Sequence, residues 1–148
     1  MPPPPRTNFA SPLASLKGNH VALRVPDFEA AKRWYVEKLD FRVLHEWPFG
    51  DLQLAYLAPA TDDGFSIEIL AGGAPIPRRD YADLTDSLQL AGYHHFCLTV
   101  ESVDATLAEL RRRGVTILGD AFDLEPISRR LAFFADPWGN LIELAERL

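Results

Sequence analysis

Cysteine is almost absent. Cys97 is the only one in 148 residues, so no internal disulfide can form. The chain therefore falls outside the small, disulfide-stapled secreted domains. Basic residues are outnumbered, 15 against 21 acidic, for a formal charge of −6. A nucleic-acid binder needs a basic face to neutralise phosphates, and none is expected here. No apolar run approaches the roughly 20 residues that span a bilayer, so no membrane association is expected. The opening Met1-Pro2-Pro3-Pro4-Pro5-Arg6 is not followed by the apolar stretch of a secretory signal. A reducing cytoplasm is the expected compartment. No glycine-rich phosphate loop is present, which argues against a nucleotide cofactor.

What is there is ordinary for a globular chain: 47% apolar and 24% charged residues. A single domain of this length buries roughly 70% of its unfolded surface. Residues 1–17 read as an extended or disordered proline-rich arm. Cys97, in the apolar run His95-Phe96-Cys97-Leu98, reads as a small buried residue.

Alternation in His20–Val25 predicts a strand, with Val21, Leu23 and Val25 on one face and His20, Ala22 and Arg24 on the other. Asp27 is a helix N-cap, and Phe28, Ala31, Tyr35 and Leu39 recur at helical spacing over 28–38. Strands are predicted at 42–47, 52–58 and 65–70. A connector follows over 71–92, with one short helical piece around Tyr81, Leu84 and Leu88. A strand over 94–100 then opens a second round. Ser102 caps a helix whose stripe is Val103, Leu107 and Leu110, and Gly114 ends it. Strands at about 115–118, 129–135 and 140–145 complete it, the last two joined by the turn Asp136-Pro137-Trp138-Gly139-Asn140.

The chain is thus a duplication. His20–Val25 lies over His95–Val100, Phe28 over Val103, Tyr35 over Leu110 and Glu68 over Glu143, all at an offset of 75. The fold class read from this is α+β: two βαβββ modules in tandem, with curved mixed sheets enclosing a metal-binding cleft. Module one spans 18–70 and module two 93–146, forming one domain over 18–146.

His20 and His95 sit on the polar faces of equivalent strands. Glu68 and Glu143, each flanked by apolar neighbours, project to the same side as the histidines. A carboxylate inside a concave sheet is costly unless paired or metal-bound. Two imidazoles and two carboxylates can ligate a divalent ion such as nickel, cobalt, zinc, manganese or iron(II). His94 is read as pointing to the opposite face from His95. His45 is read as structural. Trp47, Tyr56 and Phe134 are candidate aromatic walls of a substrate site.

The strands H-V-A-L-R-V and H-F-C-L-T-V, with D-P-W-G-N-L-I-E-L, resemble the vicinal oxygen chelate superfamily over about 19–146. That group includes glyoxalase I, bleomycin-resistance proteins and extradiol dioxygenases. The resemblance implies that His20, Glu68, His95 and Glu143 bind the metal, a ligand set most similar to glyoxalase I. It implies a lyase or isomerase acting through an enediolate on a small 2-oxo or thiohemiacetal-type substrate. Glu143 and Glu68 would then be the proton-transfer residues. It also implies a homodimer and a glutathione-carboxylate contact for Arg24, although Gly72 stands where glutathione-binding relatives often have asparagine. An iron(II) extradiol-type dioxygenase and a non-catalytic drug-binding protein are the alternatives.

Overall fold

The structure, a computed structural model, describes residues 3–148; Met1 and Pro2 of the arm lie outside the described residues. The rest of the arm is not wholly extended. Ala14 N–H donates to Ser11 O and Leu16 N–H to Leu13 O, each at 3.0 Å, closing turns there.

Alternation is realised in β1 (His20–Val25), where Leu23 and Val25 are buried and His20, Ala22 and Arg24 are exposed. Asp27 then caps α1 (Phe28–Leu39), its carboxylate accepting from Ala30 N–H at 2.8 Å. Strands β2 (Arg42–Phe49), β3 (Leu52–Ala58) and β4 (Ser66–Ala71) complete the first module. The connector holds the short α2 (Leu84–Ser87). The second module runs β5 (His95–Thr99), α3 (Val103–Arg112), β6 (Thr116–Ile117), β7 (Phe122–Leu124), β8 (Arg129–Ala135) and β9 (Leu141–Arg147). Strand β7 was not expected. Its three residues are all exposed and carry no alternation.

Each module contributes one mixed sheet. The first has the order β1-β4-β3-β2, with β1 and β4 parallel and the other pairs antiparallel. The second has the order β5-β9-β8-β6, with β7 also paired to β8, and β5 parallel to β9. Both sheets are open paths with free edges. The expected curved sheets enclosing a metal-binding cleft are therefore not found: neither sheet curls or closes.

The reason lies in where the apolar faces go. In both modules they face the helices, and together they form one core containing Leu23, Tyr35, Ile67, Phe96, Leu107 and Phe134. The modules meet through this side. Phe65 and Phe96 lie 5.7 Å apart, and Arg113 pairs with Asp40 at 2.9 Å. Burying these faces against each other leaves the polar sheet faces on the outside, where they do not close over one another.

Candidate metal half-sites

Parallel pairing of β1 with β4 sets Ala22 opposite Glu68, so His20 is Glu68's diagonal neighbour on the same face. His20 Nε2 lies 3.4 Å from Glu68 Oε2. Pairing of β5 with β9 repeats this, with Cys97 opposite Glu143 and His95 Nε2 2.8 Å from Glu143 Oε2. In both pairs the histidine side chain is 31% exposed and the glutamate 14%. The two environments are thus equivalent as well as the two spacings.

The pairs do not converge within one chain. Among the described residues no three His, Cys, Asp or Glu side chains gather into a metal-binding group. Two cavities, of about 730 and 830 Å³, are lined by none of the four residues.

Each pair has an aromatic neighbour on the adjacent strand. Tyr56 sits opposite Glu68, its ring 5.1 Å from His20. Trp47 lies 4.7 Å from Tyr56 and stacks on His45 at 5.5 Å, so His20, Tyr56, Trp47 and His45 form a row across the first sheet. In the second sheet the aromatic opposite Glu143 is Phe133, 5.3 Å from His95 and edge-on to it. Phe134 points the other way and is fully buried in the helix-side core. The sequence alone does not separate Phe133 from Phe134, because Leu131–Ala135 is apolar throughout and shows no alternation. Pairing with Glu143 is the signal that separates them.

Arg24 lines the cavity of about 830 Å³. Its guanidinium donates to the carbonyls of Val25 at 3.0 Å, Leu70 at 2.9 Å and Gly72, tying down the end of β4. Gly72 has φ +107, and a Cβ there would meet Asp51 O at 2.9 Å. No side chain fits at this position.

Cys97, expected to be buried, is exposed on the face of His95 and Glu143. Desolvation and the Glu143 carboxylate push its thiol up to about 12. His94 lies beside His95, its Nδ1 2.8 Å from His95 Nδ1 and its Nε2 3.0 Å from Ser87 Oγ. Desolvation, with the charges of His95 and Arg78, holds His94 below the usual imidazole range. Asn19, which the sequence did not single out, has Oδ1 2.7 Å from His20 Nδ1.

The donor set fits a divalent ion. In each half an imidazole nitrogen and a carboxylate oxygen meet on an open face, and two such halves would supply four N/O ligands. What one chain offers at each place is a half-site of two donors.

Residues 17–144 match the Glyoxalase/Bleomycin resistance protein/Dioxygenase superfamily, and the chain belongs to it. It is 28% identical over 130 residues to YwkD, an uncharacterized protein of Bacillus subtilis (strain 168), covering 87% of this chain and 95% of that one. It is 29% identical over 148 residues to a 2-epi-5-epi-valiolone epimerase of Actinomyces sp, covering 85% and 76%. Among solved structures, a glyoxalase family protein from Enterococcus faecalis superposes with a TM-score of 0.72 at 26% identity, covering 88% of this chain and 97% of that one. No helix among the described residues is long and apolar enough to cross a membrane.

Proposed function

We propose that this chain is a divalent-metal-dependent lyase or isomerase of the glyoxalase type, acting on a small substrate with two neighbouring oxygens, of the 2-oxo or thiohemiacetal kind. The observation that carries the reading is the pair of equivalent His–Glu half-sites. His20, Glu68, His95 and Glu143 would hold the ion. One chain keeps its two pairs apart, which supports a homodimer in which the first pair of one protomer faces the second pair of its partner. The epimerase among the relatives supports the isomerase side of the reading.

A bound cation supplies Lewis acidity, lowering the pKa of a carbon acid next to the chelated oxygens. The chain's own residues do the rest. Glu143 and Glu68 lie on opposite halves, so one carboxylate takes the proton and the other stands at the far side of the substrate. Trp47, Tyr56 and Phe133 supply flat apolar walls that exclude water from the reacting carbons.

Metal analysis of freshly purified protein, followed by an assay of methylglyoxal thiohemiacetal loss, tests the reading. Nickel, cobalt, zinc or manganese with turnover supports it. Iron with oxygen uptake on a catechol turns it into the dioxygenase. No metal and no turnover after loading leaves a binding protein.

A further inference from the structure

The arm before β1 carries apolar side chains that its own chain leaves in water. Phe9, Leu13 and Leu16 are 87%, 66% and 74% exposed. They stand four and three residues apart, the spacing that sets side chains on one side of a helical turn. Local bonds fix the backbone that holds them. Asn8 Oδ1 accepts from Ala10 N–H at 3.2 Å and Ser11 Oγ from Leu13 N–H at 3.1 Å, beside the two backbone turns. Large apolar groups grouped in water mark a surface that meets a partner.

The cavity of about 730 Å³ is the matching feature. It lies between the two modules, and no arm residue lines it. Phe41, Phe65, Leu98, Leu110 and Phe134 give it apolar walls. Asp40, Asp62 and Glu109 line it with Lys38 and Arg113. Asp40 and Glu109 both bond Arg113, whereas Asp62 meets no cation among the described residues. The arm has the complementary charge. It holds Arg6 and Lys17, and all 21 acidic residues lie beyond it.

The arm leaves from the edge of this cavity. Pairing of β1 with β4 sets His20 opposite Ser66, and Phe65 just before it lines the cavity. Leu16 is four residues from His20 and Phe9 eleven, a reach of up to about 14 and 38 Å for extended chain. Within one chain the arm starts beside this edge and still leaves its three apolar groups in water. In the dimer proposed above, His20 of one protomer meets His95 of its partner. That puts the residues before His20 beside the partner's β5, the strand whose Cys97, Leu98, Thr99 and Val100 line the cavity.

We propose that two copies of this chain exchange arms: Phe9, Leu13 and Leu16 of one protomer fill the inter-module cavity of the other, and the second arm returns the same contact. An isologous exchange of this kind closes at two chains. It holds the two protomers together away from the His–Glu pairs, so the dimer does not depend on a bound cation. The choice of a second copy over the chain's own arm rests on the shared-site dimer proposed above.

The test is disulfide trapping in the full chain with Cys97→Ser, so that introduced thiols are the only ones. Ala105 lines the cavity from α3 and is exposed. Ala105→Cys combined with Leu13→Cys or with Leu16→Cys, oxidised with diamide, should run as a linked dimer on a non-reducing gel, and Ala105→Cys alone should not. Sedimentation equilibrium gives a second measurement. Phe9→Asp, Leu13→Asp and Leu16→Asp together should raise the dimer dissociation constant about 100-fold or more, because the apolar groups of both arms lose their burial. The replaced side chains are exposed in one chain, so far-UV circular dichroism should not change. A disulfide closed within one chain overturns the exchange. Thiols that stay free while the protein sediments as a dimer also overturn it, and the shared-site dimer then stands. A wild type that sediments as a monomer overturns both. Linked dimers of a chain that takes up no divalent cation sink the metal reading and leave the exchange in place.

Discussion

Tyr35 donates its phenolic hydrogen to Asp136 Oδ2 at 3.0 Å, joining α1 of the first module to the β8–β9 turn of the second across 101 residues. Both side chains are buried. Asp136 also accepts from Trp138 N–H, Asn140 N–H and the Asn140 carboxamide, so both its oxygens are used. This carboxylate shapes the turn that launches β9, and β9 carries Glu143.

Tyr35→Phe should leave the secondary structure intact and lower stability by about 1–3 kcal/mol, the cost of removing one partner from a buried acceptor. Chemical denaturation by circular dichroism measures it. An unchanged midpoint would show that the bond does not hold the modules together.

Asp136 should titrate above its ordinary value of 3.8, because burial outweighs the hydrogen bonds that favour its ionised form. Its folded pKa is raised, so the unfolded chain gives up this proton first. The Asp136 contribution to stability is therefore most favourable below 3.8 and declines as pH rises through the folded value. A ¹³C carboxyl titration in the folded protein checks the direction, and a midpoint at or below 3.8 contradicts it.

Glu143→Gln should weaken metal binding and cut turnover by orders of magnitude, since it removes both a ligand and a base. Metal content and kcat are the two readouts. Turnover that survives would move the proton-transfer role away from Glu143.

Complementation tests the shared site. One chain carrying His20→Ala and Glu68→Ala, and another carrying His95→Ala and Glu143→Ala, should each be inactive alone. Mixed after partial denaturation and refolding, they should regain activity, because each mixed dimer restores one centre built from two intact pairs. No recovery, with mixed dimers demonstrated, would place the four ligands in one chain.

Much of each His–Glu pairing was legible in the sequence. A histidine on the polar face of β1 or β5, and a glutamate between apolar neighbours on β4 or β9, are facts of period-two alternation. The duplication then pairs them at the same spacing. Legibility ended where alternation ended. Leu131–Ala135 is apolar on both faces, so Phe133 and Phe134 could not be told apart until pairing with β9 set the register. Strand β7 is too short and too exposed to leave a signal. The carbonyls of Leu70 and Gly72 that Arg24 holds lie at the end of β4, far away in sequence, so those bonds left no local signal.

The repeat, the composition of each face and the matching of histidine to glutamate within each module were determined by the sequence itself, because strand periodicity is a local property. Whether the two pairs converge was decided only by tertiary structure. The modules dock through their helix sides, where Tyr35, Asp136, Phe65 and Phe96 meet. That non-local burial sets the His–Glu faces apart in a single chain, and no pattern within either half encodes it.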